Sequence, residues 1–166
     1  MFSAYVCNMY TNACNISKCD EIHFIFDSYI PKSLKNTERY RRQDSTIELD
    51  KIDDETPMPK QLDKFWGSSK NKVLFQQYSS DVILRQACEE KNQLTIASGT
   101  IQEYGATPAV MVSNTSSEIL ELPALCLNIE EADIRIIPHI KRSALRGQSK
   151  ITVISNDTDA LVLLLH

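Results

Sequence analysis

Five acids at the ends of apolar runs are the residues of this chain best suited to chemistry: Asp27, Glu131, Asp133, Asp157 and Asp159. Asp157 and Asp159 lie in ITVISNDTDALVLLL (151–165), where Ile151, Val153 and Ile154 predict a short strand that Asn156-Asp157-Thr158-Asp159 brings to an end. Carboxylates spaced i, i+2 in extended chain face the same side, and the carboxyl edge of an open α/β sheet is where ligands bind. Hard oxygen donors so placed suit Mg²⁺ or Mn²⁺. The same tetrapeptide also suits a polar turn capping a helix, since Asp and Thr are ordinary N-cap residues. Asp27 repeats the strand-then-acid arrangement after IHFIF (22–26), and Glu131 and Asp133 open the stretch NIEEADIRIIPHIKRSALR (128–146). With Asn128 as N-cap, Glu131 falls at the N3 position of a capping box, so it too has a structural explanation. Two apart, Glu131 and Asp133 cannot share a face of regular helix, but at a helix entrance both could lean toward one cation.

A second constellation is basic. PKSLKNTERYRR (31–42) carries Lys32, Lys35, Arg39, Arg41 and Arg42 against the single acid Glu38, with Tyr40 among them. Arginine offers bidentate and lysine point-charge contacts to phosphate, and the tyrosine ring could stack on a base. A solvated helix face accounts for the same pattern. His23 reads as a strand side chain with a local partner rather than a metal ligand, since nothing near it supplies a second imidazole.

The elements that must position these groups follow from apolar periodicity. Residues 1–20 carry Phe2, Tyr5, Val6, Met9 and Tyr10 at roughly helical spacing, which predicts an N-terminal helix. Acids and prolines with few apolar positions make 43–60 an expected mobile loop. Residues 70–91 form the longest expected helix, with Leu74, Tyr78, Val82, Ile83 and Ala87 as its buried stripe. Leu94–Ala97 reads as a strand, and Ala109–Val112 and Ile119–Leu122 as a strand pair across the polar turn 113–117. The stretch 128–146 is a second helix with Ala132, Ile136, Ile137, Ile140 and Ala144 as its core face and Gly147 as its C-terminal stop. Its internal Pro138 removes a backbone donor and should kink or split it. Alternation of apolar strands with amphipathic helices predicts an α/β fold, with 22–26 and 151–155 in one mainly parallel sheet.

At 166 residues, 42% hydrophobic and 24% charged, the chain suits one globular domain. A net charge of −4 argues against an overall nucleic-acid-coating surface, although the segments differ sharply in sign. Five cysteines without a C-x-x-C pair indicate neither a disulfide framework nor a zinc site, and a reducing, intracellular setting, nuclear or cytoplasmic, fits them. No stretch has the length of a membrane span, so no membrane partner is expected.

The three motifs together carry a resemblance. IHFIFDSYIPKSLKNTERYRR resembles the segment of apolar strand, Asp, Pro, Lys and Arg-Arg of the flap endonuclease and XPG family within the PIN-like nucleases. NIEEADIRI is similar to that family's Glu-Ala-Glu segment, and ITVISNDTDALVLL to its strand followed by D-x-D. The same stretches resemble uncharacterised PIN-like proteins linked with mobile elements. Order and spacing agree from about residue 22 onward, with 43–127 matched only in outline. The resemblance implies one PIN-like three-layer domain over 1–166 with a mainly parallel central sheet flanked by helices, incomplete at its C-terminus. It implies that Asp27, Glu131, Asp133, Asp157 and Asp159 ligate Mg²⁺ or Mn²⁺. Lys35, Arg39 and Arg42 would contact the scissile phosphate, within a nucleic-acid surface formed with Lys32, Tyr40 and Arg41. The implied activity is two-metal hydrolysis of nucleic acid, DNA before RNA. The chain departs from the family in lacking a clear first aspartate strand, in ending at His166 before the helical region and its last aspartate, and in Pro138. Those departures suit a fragment or a degenerate copy, so a non-catalytic nucleic-acid-binding or scaffold module is the alternative. A glycosyltransferase-like D-x-D is disfavoured because no secretory anchor or acceptor domain accompanies it.

Overall fold

The structure is a computed structural model that describes residues 1–17, 19–27, 47–90, 94–98, 101–102, 105–106, 109–112, 119–125, 127 and 129–165. Helix α1 (Phe2–Ser17) places Phe2, Val6 and Tyr10 on one face at i, i+4 and i+8, and all three are buried. They meet Phe65 of the short helix α2 (Leu62–Gly67) and the long helix α3 (Ser69–Glu90). The rings of Phe2 and Phe65 stand 5.4 Å apart, those of Trp66 and Phe75 5.0 Å apart and perpendicular, the edge-to-face geometry that aromatic quadrupoles favour. Along α3, Tyr78, Val82, Ile83 and Ala87 are buried as the periodicity predicts, joined by Phe75 and Leu84, whereas the expected Leu74 is half-buried.

Irregular chain from 47 to 60, the described part of the expected mobile acidic loop, is fastened along its length. Asn71, fully buried at the start of α3, accepts from Leu49 N at 2.9 Å and donates to the carbonyl oxygens of Ile47 and Phe65. Ser68 donates to Glu48, Lys70 pairs with Asp50, and Asp54 accepts from Tyr78 and Arg85. Thr56 O accepts from Phe2 N, which supplies one of the partners that the first turn of α1 cannot provide for itself. Each acid from 48 to 55 thus has a fixed partner or a place at the surface.

Strands β1 (Glu21–Ile25), β2 (Leu94–Ser98), β5 (Ala109–Val112) and β6 (Ile119–Leu122) form a four-stranded sheet in the order β1-β2-β5-β6, and β3 (Ile101–Gln102) and β4 (Gly105–Ala106) form a separate two-residue ladder. β1 and β2 run parallel, with Glu21 opposite Leu94 and Ile25 opposite Ser98, because α2 and α3 supply the long crossover that parallel neighbours need. β2–β5 and β5–β6 are antiparallel. The expected mainly parallel sheet is therefore a mixed one among the described residues. Its later strands are joined by connections too short for parallel pairing.

Side chains alternate across β1, and so do the helices that cover it. Phe24 points to Tyr10 of α1, 6.0 Å between rings, whereas His23 points to His139 of α4 (Ala132–Leu145). Helices thus flank the sheet on both faces at this edge. Helix α4 runs through Pro138 as one element instead of splitting, and it ends where expected. Gly147, at φ +90°, donates to Ala144 O while Gln148 N donates to Ser143 O, the paired bonds of a Schellman turn. The expected strand at 151–155 does not form: this segment has no ladder partner among the described residues and leaves Ile151 and Ile154 exposed. β-branched residues favour extended chain, but only a neighbour's N–H and C=O groups turn it into a strand. A last helix, α5 (Thr158–Leu164), packs on α4.

Candidate functional site

Asp27 lies just beyond the carboxyl end of β1, where the sequence places it. Its Oδ1 accepts from Ala132 N at 2.9 Å, across 105 residues of chain. Ala132 is the first helical residue of α4, so Asp27 supplies from a neighbouring strand the acceptor that a helix entrance lacks. Glu131 and Asp133 flank that amide, which brings Asp27 and the Glu131/Asp133 pair to one edge. The capping box expected for Glu131 does not form. The helix starts later, Glu131 itself occupies the N-cap position with extended backbone and no side-chain cap, and Asn128 lies outside the described residues.

Asp157 and Asp159 belong to a different arrangement. Asp157 is the N-cap of α5, its Oδ1 accepting from Asp159 N at 3.0 Å, and both acids are exposed. This is the turn-and-cap role that Asp-x-Asp can always play. No group of three or more His, Cys, Asp or Glu among the described residues is arranged to hold a metal ion. The oxygen chemistry of these acids suits Mg²⁺ or Mn²⁺. The basic residues Lys32, Lys35, Arg39, Tyr40, Arg41 and Arg42 lie outside the described residues.

Beside Asp27, β1 and α4 enclose a polar cluster that the apolar periodicity of the sequence does not reveal. The buried residues of α4 are Arg135, Ile136, His139 and Ser143, whereas Ile137 and Ala144 of the expected core face are exposed, and Ala132 and Ile140 are half-buried. Arg135, His139, Ser143 and Arg146 recur at helical spacing and so form one stripe, which lies over Glu21 and His23, neighbours on the same face of β1. Glu21 is the hub. Its Oε1 accepts from His23 Nε2 at 2.6 Å and from Ser143 Oγ at 2.9 Å, and its Oε2 from Arg146 Nε at 3.1 Å. His23 Nδ1 in turn stands 2.7 Å from His139 Nδ1. With Nε2–H committed to Glu21, neutral His23 offers Nδ1 as an acceptor and His139 donates to it. Arg135, 1% exposed, donates from Nη1 to Phe26 O at 3.0 Å and so ties the helix to the residue before Asp27.

Burial would raise the Glu21 carboxyl, but the hydrogen bonds from His23 and Ser143, with the nearby charges, hold it below its usual value. His23 is lowered, burial outweighing its bond to Glu21, with Arg142 and Arg146 adding to the shift. His139 is pushed down to about 3 by burial first, then by His23, Arg135 and Arg142. The expectation of a local partner for His23 holds on its own strand, through Glu21. The second imidazole comes from 116 residues away, which no local reading supplies. The visible signal was the match of two stripes, Glu21/His23 at period two and Arg135/His139/Ser143/Arg146 at helical period.

Comparison of the chain with protein-family models, with curated proteins and with solved structures found no match. Among the described residues no helix is long and apolar enough to cross a membrane.

Proposed function

We propose that this chain is a PIN-like domain of the nuclease type that hydrolyses phosphodiester bonds of nucleic acid, DNA before RNA, with Mg²⁺ or Mn²⁺. The observation that carries the proposal is the docking of Asp27, at the carboxyl end of β1, on the entrance of α4 between Glu131 and Asp133. Acids from distant motifs then share one sheet edge, and the basic stretch from Lys32 to Arg42 follows directly in sequence. Lys35, Arg39 and Arg42 are the proposed phosphate contacts, and Lys32, Tyr40 and Arg41 extend the surface. The reading also demands that Asp157 and Asp159 reach the Asp27 edge, so that a cation finds a full set of oxygens.

A second reading, a non-catalytic PIN-like binding or scaffold module, is favoured by the present duties of Asp27 and Asp157, each of which caps a helix. Mn²⁺ separates the two. A ligand that binds only the folded state raises the melting temperature by mass action. The nuclease reading expects a Mn²⁺-induced rise, cleavage of end-labelled single-stranded or flapped DNA, and loss of both in Asp157→Asn, which keeps the capping ability but removes a charge. The scaffold reading expects salt-sensitive DNA binding with neither cleavage nor a Mn²⁺ response. Equal Mn²⁺ responses from wild type and Asp157→Asn would remove Asp157 from the site.

A further inference from the structure

The buried imidazole of His139 and the half-buried one of His23 lie beside the proposed acid edge, take no part in it and have their own chemistry. We propose that the His23–His139 contact is a proton-operated latch, which holds α4 on edge strand β1 while both rings are neutral and releases it on proton uptake, leaving the α1–α3 core folded.

The geometry sets how many protons are involved. In the neutral pair one N–H lies between the two Nδ1 atoms, 2.7 Å apart. A first added proton can leave one N–H between the rings, but it encloses a cation next to Arg135 and Arg142. A second sets N–H against N–H at the same separation and adds charge repulsion. The ionisable groups facing the pair are Glu21 from β1 and Arg135, Arg142 and Arg146 from α4. Strand β2 beside β1 carries no ionisable side chain, α1 covers the opposite face of β1 through Tyr10, and the one ionisable side chain of α5, which packs on α4, is the exposed Asp159. Among the described residues Glu21 is therefore the single counter-charge against three arginines, and it already accepts from Ser143 and Arg146.

The sign follows from the depressed basicity of both rings. A histidine held neutral in the fold costs nothing above its ordinary value of 6.5, and the closed state loses ground as pH falls from there toward the folded value, about 3 for His139. Each ring that charges only when released makes the opening constant rise about tenfold per pH unit, so the pair gives up to about 100-fold. The apolar α1–α3 core is sealed by Phe2, Phe65 and Ile83 and contains no histidine, so it does not share this response.

Amide hydrogen exchange on the full chain, corrected for the intrinsic pH dependence of exchange, tests the latch. Between about pH 6.5 and about pH 5, protection over 132–145 should fall about 100-fold or more while protection over 69–90 stays level. His139→Gln retains an N–H donor but cannot titrate, so in that variant the response of 132–145 should drop to about tenfold per unit or less. Simultaneous loss of protection in 69–90 and 132–145, or an unchanged response in His139→Gln, overturns the proposal. Should the variant fail to fold, the imidazole carbon-bound protons of His23 and His139 in the wild type decide by NMR titration. Both should titrate well below the same rings in urea-unfolded chain, and titration of both at the unfolded value overturns the latch.

Discussion

Helices α3 and α4 both carry apolar residues at helical period, yet α3 turns a full apolar stripe toward the protein beside buried Asn71, Gln76, Ser79 and Ser80, whereas Ile136 is the one buried apolar residue of α4. α3 buries Tyr78, Val82, Ile83 and Ala87 against Phe2, Phe65 and Ala97. α4 buries Arg135, His139 and Ser143 beside Ile136, and leaves Ile134, Ile137 and Leu145 in solvent. What lies opposite decides the matter. A polar stripe can be buried where its groups find partners, and His23, Glu21 and the Phe26 carbonyl supply them to His139, Ser143 and Arg135. The apolar surface left outside continues into 151–165, where Ile154 is 69% and Leu161 62% exposed.

The largest expected contrast lies in the aromatic centre of the α1–α3 region. Phe65 is fully buried against Phe2 and Trp66, so Phe65→Ala removes a ring and leaves a cavity that close-packed neighbours fill only in part. A loss of about 3–5 kcal/mol is expected by urea unfolding, enough to unfold a marginal domain. A cost below about 1 kcal/mol would mean that this cluster does not organise the fold.

A smaller effect tests whether the 47–60 segment belongs to that core. Asn71 holds it through Leu49 N and Ile47 O while also reaching Phe65 O. Asn71→Ala leaves the half-buried Leu49 amide and the Ile47 and buried Phe65 carbonyls without this partner, at a cost of about 1–3 kcal/mol. Proteolysis between 47 and 60 should become faster in the variant. Resistance equal to wild type would show that the apolar contacts of Leu49, Ile52 and Met58 hold the segment without Asn71.

Much of the frame was legible because local pattern and tertiary outcome agree there. α1, α3, β1, β2 and the β5–β6 pair lie where apolar period two or period 3.6 puts them, and Gly147 marks the end of α4 because only glycine readily takes φ near +90°. The meeting of Asp27 with the Glu131/Asp133 entrance was legible as well, since each acid adjoins the end of its element. The buried face of α4 was not, because a stripe of Arg, His and Ser reads as solvent-facing until its partner strand is known. Nor was the unpaired state of 151–155: Ile151, Val153 and Ile154 announce extended backbone, and the ladder depends on a neighbour that local sequence does not name.

The smallest expected effect probes the exposed side of the same contrast. Leu161 of α5 makes the apolar run 160–165 look like core, yet most of its side chain already faces water. Burial of a leucine stabilises by about 1.5–3 kcal/mol, in proportion to the apolar area removed from water, so a side chain left mostly in solvent has little to lose. Serine is a poorer helix former than leucine by a few tenths of a kcal/mol, and in a seven-residue helix this is the main remaining cost. Leu161→Ser should therefore shift urea stability by less than about 0.5 kcal/mol, as should Ile154→Ser in the unpaired segment. A loss of about 2 kcal/mol in either variant would place that side chain under cover in solution. The helix that buries polar residues would then also have an apolar layer on its outer side, and the contrast with α3 would narrow to Arg135, His139 and Ser143 alone.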